Sequence, residues 1–343
     1  MKLIVSALFL LVSVEVASQD FKTPMEYLEF IGKESDNISK MTWKYTTSVA
    51  HSKSARKIDN TRKALVKTIQ TAHKKISGIK NGYKGDTEYH NQMLAYLDIS
   101  EKHINQEYEK IIDLQEVAEQ SYDFMEAYIL ARDLVNEKIN AEVDQLNVNQ
   151  KAFGNKYGIS ITEDKSALAK KMKISNEVFS NQTDLYLIFF KCNITEYNLM
   201  DAVAKKDLGA IEQNSNALKG FAAEGLEKLT TYLPYKNDLM LVNATKKALE
   251  FYQKEATELA PRVTAFMMLN QQLEDTKLVI EAKPQKDRTK ADIDSYNKLV
   301  NDINKEIGVY NKTMAKFNTE KTNAINNWNT ASTNFITKHV PKE

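Results

Sequence analysis

The sequence predicts an all-α protein of long antiparallel helices, arranged as one elongated or two consecutive bundles of six to eight helices. Three observations carry this expectation. Glycine (10) and proline (5) are scarce among 343 residues, and these are the residues that punctuate turns and end helices. Neither occurs from Asp86 to Phe153, a stretch far too long for strands of ordinary length. Apolar residues recur at intervals of three and four, the repeat of one helix face, rather than at intervals of two.

Residues 1–18, MKLIVSALFLLVSVEVAS, combine Lys2, an apolar run from Leu3 to Val14 and small residues ahead of Gln19. That is the pattern of a secretory signal peptide. The run is interrupted by Glu15 and is shorter than the ~20 residues a spanning helix needs. Cleavage is therefore expected after Ser18, leaving an exported chain with no integral membrane anchor. Two bundles are expected within it, over residues 19–158 and 159–343.

The first helix starts at Thr23-Pro24-Met25-Glu26, where the Thr hydroxyl caps, Pro suits the first turn and Glu returns the capping bond. Its inward face reads Met25, Leu28, Ile31, Ile38, Met41, Tyr45 and Val49. The second helix runs from about Ser54 to Ser77 on Ile58, Leu65, Ile69, Ala72 and Ile76, and Gly78, Asn81-Gly82 and Gly85 close it. Asp86 or Thr87 opens the long stretch carrying Tyr89, Met93, Tyr96, Ile104, Tyr108, Ile111, Tyr128, Val135, Ile139, Leu146 and Phe153. As a single helix it would be ~100 Å long at 1.5 Å per residue, so a turn is placed near Gln120-Ser121. Gly154 to Asp164 reads as a linker, with caps for the next helix between Thr162 and Ser166.

In the second half, Leu185-Tyr-Leu-Ile-Phe-Phe190 is the most apolar run after the leader, and its helical neighbours favour helix over strand. Breaks follow at Asp207-Leu-Gly209 and Leu233-Pro234-Tyr235. The next stripe is Tyr252, Ala256, Leu259, Val263, Phe266, Asn270 and Leu273, with a kink expected at Pro261. The last helix, from about Lys290 to Phe335, has the most regular stripe. It runs from Ile293 through Tyr296, Val300, Ile303, Ile307, Tyr310, Met314, Phe317, Lys321, Ala324, Trp328 and Ala331 to Phe335. A sustained period of seven predicts a seam packed at coiled-coil angles, inward along its whole length. Local likenesses between the halves, such as Leu134-Val-Asn-Glu137 with Leu299-Val-Asn-Asp302, leave an internal duplication open.

Composition narrows the function. Lys plus Arg (47) nearly equals Asp plus Glu (46), so nothing in the charge favours nucleic acid or an anionic membrane as partner. Cys192 is the only cysteine, which removes intramolecular disulfides and leaves stability to packing. It reads as a buried hydrophobe rather than a nucleophile, because no His lies near it in sequence. His90 and His103 lie among Glu88, Glu101 and Glu107, and His103 shares a helix face with Glu107. The Glu-x-x-His pairs of a di-iron bundle and the His-Glu-x-x-His motif are absent, so a solvated charged face outweighs a metal site. No phosphate loop or nucleophile elbow occurs. No catalytic, cofactor-binding or metal residue is assigned and no cofactor is expected.

Asn37, Asn181, Asn193, Asn243 and Asn311 head Asn-x-Ser/Thr sequons, a number that an Asn- and Thr-rich chain approaches by chance. Asn270 and Lys321 interrupt apolar stripes, where polar residues either set register or lie at a solvated place. Tyr45, Tyr96, Tyr108, Tyr252, Tyr296 and Tyr310 either fill a core with a wet edge or line a ligand site.

The tail Trp328-Asn-Thr-Ala-Ser-Thr-Asn-Phe335-Ile-Thr-Lys-His339-Val-Pro341, ending a long Asn- and Lys-rich helix, resembles the ending of an uncharacterised bacterial family. Its members are exported, all-helical surface proteins of Gram-negative bacteria. The resemblance implies an envelope or surface location and no particular activity. The leading expectation is a non-enzymatic interaction or scaffold protein of the periplasm, cell surface or exterior, with a protein or envelope component as partner. Its rivals are a ligand-binding sensor or carrier bundle, and a membrane-active pore former that would use Leu185 to Phe190.

Overall fold

The computed structural model describes residues 21–52, 54–118, 122–162 and 166–342. The signal-peptide reading of residues 1–18 and the turn at Gln120-Ser121 lie outside them. The structure is 87% helical, and none of the described residues forms a strand. The helices are α1 (Pro24–His51), α2 (Ala55–Ser77), α3 (Glu88–Ala118), α4 (Tyr122–Lys156), α5 (Ala167–Lys205), α6 (Leu208–Thr231), α7 (Met240–Lys254), α8 (Ala260–Glu281) and α9 (Lys290–His339). A π-helical turn, Glu255–Leu259, joins α7 to α8 without a break, so these nine segments make eight rods.

Among the described residues, 21–111 group with 131–168 as one compact unit, and 112–130 with 169–342 as another. The division therefore passes through α3 and α4 rather than falling once between 158 and 159.

In the first unit, Thr23 caps α1 by accepting from the Glu26 N–H at 3.2 Å, and the Glu26 carboxylate accepts from the Lys22 N–H at 2.9 Å. Ser54 caps α2 in the same way through the Lys57 N–H. The core gathers Tyr27 and Ile31 from α1, Leu65, Ile69 and Ile76 from α2, Met93 and Leu97 from α3, and Phe153 from α4. Met25 and Val49, expected on the inward face of α1, are exposed, and Tyr27 and Trp43 are buried instead. A straight helix drifts by ~20° per seven residues, so a stripe read across the middle of a long helix leaves the core at its two ends. The α2–α3 turn depends on Gly82, whose φ is +57°; a Cβ there would stand 1.9 Å from the Asp86 carbonyl oxygen. The expected linker at Gly154 starts later, because α4 continues to Lys156.

In the second unit, Leu185–Phe190 is helical and inward: Leu185, Phe189 and Phe190 are buried in α5. Phe189 stacks on Trp328 of α9 at 4.4 Å between ring centroids, and the Trp328 Nε1–H donates to Thr245 Oγ1 of α7 at 2.9 Å. Asp207 caps α6 through the Ala210 N–H. No helix among the described residues is long and apolar enough to cross a membrane.

Helix α9 runs unbroken, as its stripe predicts, but it does not face inward throughout. Its buried residues are Phe317, Trp328, Ala331, Ser332 and Phe335, whereas Ile293 is 49% and Ile307 45% exposed. On α8 the last buried residue is Val263. Residues 264–316 thus form a two-helix arm beyond the packed part of this unit. Its seam is held by Phe266 stacked on Tyr310 at 4.3 Å. Its tip is closed by a capping box between Thr289 and Asp292 and by the Lys283–Asp292 ion pair at 2.7 Å. Two helices share one seam, so each stripe residue is covered from one side only. Near the C-terminus the same stripe meets both α5 and α7 and is sealed.

Candidate functional site

Where α8 leaves the packed part of the second unit, the chain departs from α-helical register. Pro261 has no N–H and its ring crowds the carbonyl four residues earlier. The disruption expected at this proline takes the form of the π turn, in which the Ala260 N–H bonds to the Glu255 carbonyl, five residues back. In that register the Ala256 carbonyl would accept from residue 261, which is the proline. Ser215 of α6 supplies the missing donor, its Oγ bonding to the Ala256 oxygen at 3.0 Å. Ser215→Ala should therefore strand a partly buried carbonyl and cost about 1 to 2 kcal/mol, read from the denaturation midpoint; an unchanged midpoint would refute this account of the turn.

The wider turn also places two consecutive residues inward. Ala256 and Glu255 are both buried, and Glu255 is 2% exposed. Across from it on α5 stands Glu196, 1% exposed, and on α9 stands Lys321, whose Nζ lies 2.7 Å from Glu196 Oε1 and 2.6 Å from Oε2. The polar residue in the α9 stripe is thus the cation of a buried ion pair between α9 and α5. The Tyr252 hydroxyl donates to Asn193 Oδ1 at 2.9 Å, while Glu255 Oε2 has no hydrogen-bond partner. Isolated buried carboxylates pass to the neutral form rather than stay charged.

The electrostatics follow from that geometry. Burial raises the Glu196 carboxyl, with hydrogen bonding and charge from Lys321 opposing it. Burial and then the neighbouring Glu196 charge lift Glu255 to about 8. Burial also pushes the Tyr252 hydroxyl well up, and it pushes the Cys192 thiol to about 12. Cys192 is itself fully buried, where a thiol packs as a small apolar group.

Of the residues weighed from sequence, only Lys321, Tyr252, Asn193 and Cys192 come together here. His90 is buried in the first unit, its Nε2 2.9 Å from the Ile76 carbonyl oxygen near the end of α2. Asn270 donates to the Phe266 carbonyl of its own helix. Tyr45 and Tyr96 flank the first unit's core, and in the second unit Tyr252 is buried while Tyr310 lies in the arm; the side chains of Tyr108 and Glu107 lie outside the described residues. Among those residues no group of three or more His, Cys, Asp or Glu could hold a metal ion.

Sequence reasoning overlooked both glutamates. Glu196 continues an apolar stripe of α5, Leu185, Phe189, Cys192, Glu196, Leu199 and Val203, all buried, and a lone carboxylate in such a stripe is a readable signal. Glu255 is hidden in the sequence because an α-helical stripe passes through Ala256, and only the π turn brings both neighbours inward. No protein-family profile, curated protein or solved structure matches the chain.

Proposed function

We propose that this is a non-enzymatic interaction or scaffold protein of the bacterial envelope or cell surface, and that the α8–α9 arm is the element it presents. The supporting observation is the exposure of the arm's apolar side chains. Met268, Leu278, Val279, Ile293, Ile307 and Val309 are all exposed on a two-helix element whose tip is firmly closed. Several exposed large apolar side chains on one element are a common mark of a contact surface. Export is inferred from the leader-like residues 1–18, and the surface location from the resemblance of the tail.

The test is a pull-down from the envelope fraction of the source organism with wild-type protein and with the double substitution Ile293→Lys and Ile307→Lys. Both positions are about half exposed, so the fold should survive the change. A component retained by wild type and lost with the variant is the expected result. Equal retention by both proteins would remove the arm from the proposal, and no retained component at all would count against an interaction role.

A further inference from the structure

We propose that Glu255 is a resident proton-binding site and that release of its proton loosens the π turn at the root of the α8–α9 arm. The inference does not depend on what the arm binds. It starts from a charge count in a closed space. Two carboxylates, Glu196 and Glu255, are almost completely buried and share one ammonium, Lys321. Lys321 reaches both oxygens of Glu196 and so holds that carboxylate in its charged form. Glu255 has an oxygen with no partner, and with all three groups ionised the cluster would carry one uncompensated negative charge. Burying such a charge is costly, and one proton on Glu255 removes it.

The groups facing Glu255 are Glu196 from α5, Lys321 from α9 and Tyr252 from α7, the last of which also neighbours Cys192 of α5. Toward the turn α6 brings the neutral Ser215, its nearby charges Glu212 and Lys219 being exposed, and Arg262 of α8 is exposed too. Lys254, the preceding residue, is paired with Glu320 at 2.8 Å, and among the described residues Lys321 is the cation acting on Glu255.

Proton occupancy bears on the turn because Glu255 is its first residue and its carbonyl accepts the π-type bond from Ala260. Pro261 has removed one donor already, so the turn relies on burial and on the Ser215 bond. An ionised Glu255 would be drawn toward water and away from that seat. The sign follows from linkage. The carboxyl is raised in the folded state from an ordinary 4.5 to about 8, so the folded chain binds more protons than the unfolded one between those values. Its contribution is complete below about 4.5, is lost as pH rises toward about 8, and does not change further above that.

The experiment compares the full chain with Glu255→Gln, a neutral isostere. Thermal midpoints taken between pH 5 and pH 9 should fall more steeply for the wild type, and at pH 9 the variant should be the more stable of the two. Amide exchange across residues 253–263 at pH 9 should be faster in the wild type than in Glu255→Gln. Infrared spectra of the wild type should show a carboxylic-acid carbonyl band at pH 7 that titrates near pH 8 and is missing from Glu255→Gln. Parallel midpoints in the two proteins would overturn the proposal. So would an infrared spectrum of the wild type with no carboxylic-acid band at pH 7, a reading that holds even if the variant fails to fold.

Discussion

Trp328→Ala is expected to cost about 3 to 5 kcal/mol of stability, among the largest effects of any single truncation in the chain. The indole is 3% exposed, stacks on Phe189 and donates to Thr245, which is itself fully buried. Truncation opens a large cavity and leaves a buried hydroxyl without its donor, and the two losses act together. Seven-residue spacing places Ile307 on the same stripe, yet Ile307→Ala should cost about 1 kcal/mol or less because nearly half of its side chain is already in water. Asn318, exposed beside the seam, should change stability by less than about 0.5 kcal/mol. Chemical denaturation midpoints of the three variants read out the arrangement of α9 directly. If Ile307→Ala proved as costly as Trp328→Ala, the description of residues 264–316 as a one-seam arm would be wrong.

Lys321→Met is expected to be comparably severe at neutral pH, at about 3 to 5 kcal/mol, because it strips the buried Glu196 carboxylate of its counter-ion, and that group must then either stay charged where water does not reach or take up a proton well above its ordinary range. Lys321 is itself 28% exposed, so most of the loss comes from the carboxylate left behind rather than from the attraction removed. Two controls separate this from a loss of packing. Lowering the pH toward 4 should restore much of the stability, since the Glu196 carboxyl is then protonated in the unfolded chain as well and its neutral form in the core carries no further cost. Adding Glu196→Gln to Lys321→Met should likewise recover most of it, as neutral replacement of a buried pair is often tolerated. Failure of both controls would mean that Lys321 matters for its aliphatic stem and not for its charge.

Much of the architecture follows from residues near one another in the chain. Thr23 and Ser54 as caps, the close at Gly82, the cap at Asp207 and the unbroken run of α9 all depend on contacts within a few residues, which sequence displays. The all-helical fold and the stripe of α2 were accessible for the same reason. Lys321 could be picked out as an interruption of its stripe, but its partner could not, because Glu196 lies 125 positions away. Glu255 was masked by the assumption of unbroken α-helical spacing across Pro261, an assumption that the π turn violates by one residue.

Periodicity, with the scarcity of glycine and proline, determined that these segments are helices and which side of most of them is apolar. Which part of an apolar side is sealed, and which part stays wet, was decided by tertiary structure. Along α9 the repeat is the same from Ile293 to Phe335, but burial depends on how many neighbouring helices surround each turn. Near the C-terminus α5 and α7 close over the stripe; in the arm α8 alone covers it. The charges follow the same logic, since Glu196 and Glu255 are ordinary carboxylates in the chain and become a proton site only where packing excludes water and leaves one lysine between them.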